Sequence, residues 1–125
     1  MKDYSNTYYI ASSPESIYNA ITKEDQINKW TKGEAKMGIT EGSEFSMWDG
    51  QIKGKNLSFE LNKKLVQQWY FDEGKTESIV SILIEKDENG SKISLSHTHI
   101  PNEMYESFRR GWQESYFEPL AEYLS

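Results

Sequence analysis

Apolar and polar positions alternate in short runs for the first hundred residues and then change to helical spacing for the last quarter of the chain. Thr7 to Ala11 is a short aromatic-apolar run and predicts a first strand. Ser13-Pro14-Glu15 then reads as a helix start, with Ser at the N-cap, Pro at the first helical position and an acid in the first turn. Ile17, Ala20 and Ile21 give this helix a small buried face. A second short helix begins at Thr22-Lys23-Glu24-Asp25 and buries Ile27 and Trp30, the latter as a plug in the core.

The middle of the chain predicts an antiparallel meander. Gly33 to Gly42 holds one short strand at Ala35 to Met37. Glu44 to Trp48 and Gln51 to Glu60 are strands joined by a two-residue turn at Asp49-Gly50. Asn62-Lys63 turns the chain into Leu65 to Phe71, and Asp72-Glu73-Gly74-Lys75 is a polar turn. Glu77 to Glu85 places Val80, Ile82 and Ile84 on one face; Asn89-Gly90 is a second hairpin turn. Ser91 to Ile100 is the last strand, with Ile93, Leu95, His97 and His99 on one face.

From Pro101 to Ser125 the period becomes helical. Met104, Tyr105, Phe108, Trp112, Tyr116 and Tyr123 recur at steps of three and four. An aromatic helix that follows a sheet closes the sheet's open face. Pro119 lacks an N–H, so it kinks this helix or splits it after Phe117. The expected class is α+β, as one domain spanning residues 1–125.

Composition narrows the function. The hydrophobic fraction is low at 36%, but 14% of residues are aromatic, and these supply the buried area. A net charge of −6 without a basic stripe argues against nucleic acid. With no cysteine there is no disulfide, thiolate zinc site or cysteine nucleophile. No apolar stretch has the length of a signal peptide or a membrane span, so a soluble, cytoplasmic protein is expected.

Five segments in order resemble one family. They are Ser12-Ser13-Pro14-Glu15-Ser16-Ile17-Tyr18; then Gly42 to Met47 with Asp49-Gly50 and Ile52-Lys53-Gly54; then Lys64-Leu65-Val66 with Trp69 and Phe71; then Ser96 to Pro101; and finally Gly111-Trp112-Gln113 with Tyr116 and Phe117-Glu118. Together they resemble the C-terminal domain of the activator of heat-shock protein 90 ATPase, within the START and birch-pollen-allergen-like superfamily. The resemblance implies a helix-grip fold, in which a curved antiparallel sheet wraps a long C-terminal helix. It also implies a cavity for apolar ligands between the two, or contact with a chaperone in place of catalysis. His99 stands where the family usually has Gly.

The chemistry-bearing residues offer few catalytic arrangements. His97 and His99, two apart on a strand, would point the same way, but a metal needs a third ligand that the sequence does not supply. Ser94 and Ser96 face away from His97, and the acids gather in turns. Gly50 to Lys55 only faintly resembles a phosphate loop; its spacing is one residue short and it lies in a strand. Arg109 reads either as a surface partner of Glu106 or as an inward group for a ligand's anion. Gly111 would let the helix approach the sheet closely, at about 1 kcal/mol of helix propensity.

The expected function is therefore non-enzymatic: binding of a small apolar or amphipathic ligand between sheet and helix, without a cofactor. Trp69, Phe108, Trp112 and Tyr116 would supply the wall, with Trp48, Phe71 and Tyr105 beside them; His97, His99 and Arg109 would supply polar contacts at one end. The alternatives are an interaction module for a heat-shock protein 90 homologue and, third, a small cyclase or hydrolase.

Overall fold

The computed structural model describes residues 1–71 and 77–125; the turn expected at Asp72 to Lys75 lies outside them. Strand β1 (Lys2–Ile10) is followed by helices α1 (Pro14–Thr22) and α2 (Glu24–Thr31). Strands β2 (Lys36–Met37), β3 (Glu44–Met47), β4 (Ile52–Glu60), β5 (Lys64–Tyr70), β6 (Ser78–Asp87) and β7 (Gly90–Ile100) come next. They form one antiparallel sheet in the order β1-β7-β6-β5-β4-β3-β2. The two helices carry the chain from one edge of the sheet to the other. A 3₁₀ turn at Asn102–Met104 then opens the C-terminal helix: α3 (Tyr105–Gly111), a π-helical stretch (Trp112–Phe117) and α4 (Glu118–Leu124).

Period-two patterning sets the inner face. On β5, Leu65, Gln67 and Trp69 point inward; on β6, Val80, Ile82 and Ile84; on β7, Ile93, Leu95 and His97. Register stacks them across strands, with Leu65 opposite Ile82, Ile82 opposite Leu95 and Val80 opposite His97. Gly54 on β4 is required by space, because a Cβ there would lie 2.0 Å from the Gln68 carbonyl oxygen and 2.6 Å from the Phe45 ring. Ser13 caps α1, its Oγ accepting from the Ser16 amide at 3.1 Å. Ser13→Ala is expected to lower stability by about 1 kcal/mol, measured by urea unfolding. Trp30 is the core plug the sequence predicts, 3% exposed, its Nε1–H donating to the Ala20 carbonyl at 2.8 Å.

Several boundaries differ from expectation. β1 starts at Lys2 instead of Thr7, since β7 offers it a ladder from Ile100 to Ser91; its exposed early residues carry no hydrophobic signal. The β3–β4 connection has four residues rather than two, because Met47 pairs with Ile52. Trp48, Asp49 and Gly50 are all left-handed there, with φ of 52°, 58° and 86°. Asp49 holds this loop to the segment before β2: its amide donates to the Glu34 carbonyl at 3.0 Å, and its Oδ1 accepts from the Glu34 amide at 2.8 Å. The β6–β7 turn sits at Glu88-Asn89, one residue earlier than Asn89-Gly90, because Asp87 pairs with Gly90.

The expectation that His97 and His99 share a face is corrected. Tyr4 pairs with His97 but Lys2 pairs with Ile100, so two residues of β7 oppose Asp3 alone. At this bulge His99 takes φ of 55°, turns outward to an exposed position and leaves the inner place to Ile100. Its amide donates to Asp3 Oδ1 at 3.0 Å. A left-handed bulge position favours glycine, which accounts physically for the residue usual in the family.

Candidate functional site

Pro119 shapes the site from a distance. Its missing N–H would otherwise donate into the preceding turn, and that turn is the π-helical stretch ending at Phe117. The split expected after Phe117 is where α4 begins. The wider π turn brings Trp112, Tyr116 and Phe117 to the inner side together, all at most 3% exposed. Trp112 lies against Trp69 with ring centroids 4.9 Å apart and planes 31° apart; Tyr116 meets Trp112 at 4.8 Å and Trp30 at 4.8 Å. Phe108, one turn earlier, meets Trp69 at 6.1 Å and Phe71 at 5.1 Å.

Behind this layer His97 is fully buried, surrounded by the rings of Trp69, Phe71, Phe108 and Trp112. Its Nδ1 accepts from Trp112 Nε1–H at 3.0 Å, so the ring proton sits on Nε2, which donates to Ser78 Oγ at 2.8 Å. Ser78 in turn donates to the Thr98 carbonyl at 2.8 Å. Both ring nitrogens are thereby engaged. Burial lowers the His97 pKa to about 4, against a smaller opposing pull from Asp3, so the ring is neutral. Among the described residues no three His, Cys, Asp or Glu side chains gather as a metal site.

A second polar chain, which the sequence reading did not foresee, ties the same wall to the far edge of the sheet. Trp69 Nε1–H donates to Gln67 Oε1 at 3.0 Å, and Gln67 Nε2 donates to Asn56 Oδ1 at 2.9 Å. Asn56 Nδ2 reaches Ser43 Oγ at 3.2 Å and the Gly38 carbonyl at 3.3 Å. Gln67 and Asn56 are both buried. Alternation shows that they face inward, but not that they pair across β4 and β5.

An open cleft of about 280 Å³ lies between the helix and strands β4 and β5. Its walls are Trp48, Trp69, Phe108, Trp112 and Tyr116, all expected at the site; Phe71 and His97 lie in the layer behind. Ile52 adds to the sheet side, and Gln51, Ser107 and Ser115 form a polar, uncharged border. Ser107, Gly111 and Ser115, spaced by four, run beside the aromatic stripe Phe108, Trp112 and Tyr116. That small-residue stripe was the available signal for the helix side of the cleft.

Gly111 also borders the cleft, and a Cβ built there meets nothing within 4 Å. The expected close approach of helix to sheet is therefore not its role. It sits at ordinary helical dihedrals, φ −61° and ψ −37°, over open space. Gly111→Ala is expected to raise stability by about 0.5–1 kcal/mol through helix propensity alone, measured as a shift in the urea midpoint at constant slope.

The remaining expected site residues lie elsewhere. Arg109 points outward and pairs with Glu106, its Nη2 2.8 Å from Oε2, so the inward reading is corrected: solvent, not the cleft, surrounds the guanidinium. His99 is exposed at the bulge. Tyr105 turns toward β1, edge-on to Tyr4 at 6.5 Å with Lys2 Nζ 4.9 Å from its ring centre. Trp48 reaches the cleft from a left-handed backbone that a bulky side chain rarely adopts.

A seven-stranded antiparallel sheet that closes on a C-terminal helix, with two short helices after its first strand, is the helix-grip architecture. The chain belongs to the family described as Activator of Hsp90 ATPase homolog 1-like protein, whose profile matches residues 11–125. It is 30% identical over 115 residues to the human activator of 90 kDa heat shock protein ATPase homolog 1, covering 89% of this chain and 33% of that protein. The chain thus spans about a third of the length of this relative. Among solved structures it resembles an HSP90 activator from Plasmodium falciparum, with a TM-score of 0.86, 24% identity and coverage of 94% and 92% of the two chains. It equally resembles the Aha1 dimer from Colwellia psychrerythraea, with a TM-score of 0.86, 22% identity and coverage of 99% and 96%. No described helix is long and apolar enough to cross a membrane.

Proposed function

We propose that the chain binds a small apolar or amphipathic ligand in the cleft beneath its C-terminal helix, without catalysing a reaction on it. The observation that carries this is the wall of large aromatics left facing a 280 Å³ opening, with glycine at a helical position that has room for a side chain. Helix interiors disfavour glycine by about 1 kcal/mol, and neither backbone nor packing requires it here; an open mouth does. His97 contributes rigidity, since both nitrogens of its neutral ring are held, one by Trp112 and the other by Ser78.

Gly111→Leu tests this directly. Its side chain would occupy the mouth of the cleft while favouring the helix. Titrated with Nile red, the native chain is expected to give saturable fluorescence, and Gly111→Leu to weaken binding at least tenfold. Equal binding by the two proteins, or none by either, would reject the cleft as a ligand site.

A second reading follows from the family. Relatives named as activators of the 90 kDa heat shock protein ATPase suggest that this chain contacts a chaperone of that class through its own surface. Pull-down with the host chaperone, together with its ATPase rate, tests it. Binding at micromolar protein supports the reading, and absence of binding at that concentration rejects it.

A further inference from the structure

We infer that the cleft is built for an uncharged, flat ligand that carries an oxygen acceptor, and that the Tyr116 hydroxyl is the group that binds this oxygen. The inference rests on the cleft being a ligand site and adds the chemistry of what enters it.

Charge is the first argument. No acidic or basic side chain lines the cleft. On α3, Glu106 and Arg109 pair with each other on the solvent side. An ionised ligand group would lose its hydration against aromatic rings and find no counter-ion, which is strongly unfavourable.

Polar capacity is the second. The indole N–H groups of Trp69 and Trp112 are spent on Gln67 and His97, so these rings offer the cleft only their faces and edges. Tyr116 differs. Its residue is 3% exposed, yet its hydroxyl has no hydrogen-bond partner among the described residues. It is not sealed in either: among the described residues, the fully buried side-chain polar atom left without a partner is Asn62 Oδ1. Of three hollows formed by the described residues, Tyr116 borders this cleft and neither of the other two. Burial also holds its pKa above the ordinary phenol value, so the group keeps its proton and can donate. At the open cleft this donor meets water, and a ligand carbonyl or ether oxygen can take the water's place.

Shape is the third. The Trp69 and Trp112 planes are only 31° apart, while Phe108 and Trp48 approach as steeper side walls, Phe108 at 68° to Trp69 and Trp48 at 65° to Tyr116. Flat rings stack or meet such walls edge-on at low entropic cost. The 280 Å³ volume falls at the small end of ligand pockets and suits a ring system of about two fused rings.

The test compares two naphthalene dyes. Propionyl-dimethylaminonaphthalene is uncharged with one ketone; anilinonaphthalene sulfonate is an anion of similar size. The native chain is expected to bind the ketone at least tenfold more tightly than the sulfonate. Tyr116→Phe keeps the ring and is expected to weaken the ketone about five- to tenfold, the worth of one hydrogen bond, and to shift the bound dye's emission to the blue. A matching circular dichroism melt certifies that the variant is folded. Sulfonate binding as tight as the ketone, blocked by Gly111→Leu, would overturn the charge argument while leaving the cleft a ligand site. An unchanged ketone affinity in Tyr116→Phe would overturn the role of the hydroxyl. If neither dye binds in a way that Gly111→Leu blocks, both this inference and the cleft reading fall.

Discussion

Replacing Trp69 by alanine is expected to lower the unfolding free energy by about 3–5 kcal/mol, which for a chain of this size moves the melting midpoint down by roughly 10–20 °C. Trp69 is 2% exposed and is the ring that the others share, with Trp112 at 4.9 Å, His97 at 5.3 Å, Phe108 at 6.1 Å and Phe45 at 6.2 Å. Its removal leaves a void that the surrounding rings cannot all close, and it strips the partner from the buried Gln67 Oε1. Gln67 cannot swing away to compensate, because its amide is committed to Asn56. Urea unfolding followed by far-ultraviolet circular dichroism measures the loss. Trp69→Phe, which retains a ring but not the N–H, should lose less than the alanine variant. A cost below about 1 kcal/mol for the alanine variant would mean that the interior described here is not closely packed.

The second large effect is on stability in acid. His97 titrates near 6.5 when unfolded and at about 4 in the folded chain, chiefly because burial disfavours the imidazolium. Between those values the unfolded chain binds more protons, so folding stability rises with pH through that window. The contribution is complete above pH 6.5 and is lost as the pH falls toward 4, to a total of about 3 kcal/mol. Geometry gives the same sign. A proton on Nδ1 would face the Trp112 Nε1–H, replacing a hydrogen bond with two opposed donors. His97→Leu should be less stable at neutral pH, since Trp112 and Ser78 lose their partner, but its stability should change less between pH 6.5 and 5. The slope difference between the native chain and this variant is the measurement. Parallel slopes would show that His97 titrates normally and that the buried pair with Trp112 is not formed.

Much of the architecture was legible in the sequence because strand alternation and helical spacing are carried by apolar residues. Val80, Ile82 and Ile84 mark one strand face without ambiguity, and Ser13-Pro14 marks a helix start by the chemistry of its cap. The parts that were not legible depend on single backbone irregularities. One extra residue in β7 turns His99 from the inner face to solvent, and periodicity has no means of announcing it except the glycine usual at that place. The loop at Trp48 to Gln51 is longer than its Asp-Gly signal suggests because Asp49 is used to bind Glu34 instead of closing a tight turn. Arg109 lies one residue beyond Phe108 and follows the helix to its outer side, where Glu106 meets it.

The candidate site was legible in part. The aromatics at 108, 112 and 116 announce an inward stripe, and Pro119 announces a break after Phe117. Whether that stripe meets a filled core or an opening is a question of volume, which depends on how Trp48, Trp69 and Trp112 tilt against one another. The polar partners of the wall were also hidden. Trp112 to His97 and Trp69 to Gln67 to Asn56 join residues on separate elements, and only register brings them together. Gly111 was visible as a motif residue, but its role changed: it lies over open space and borders the cleft instead of allowing close packing.

The four indole N–H groups provide the most direct measurement. Trp48, Trp69 and Trp112 line the cleft, whereas Trp30 is locked to the Ala20 carbonyl and borders a different hollow. In a two-dimensional ¹H–¹⁵N spectrum of the native chain titrated with propionyl-dimethylaminonaphthalene, the Trp48, Trp69 and Trp112 indole resonances should move together to saturation while that of Trp30 stays in place. Indole resonances that stay still at saturating dye, or movement confined to Trp30, would contradict a ligand site beneath the helix.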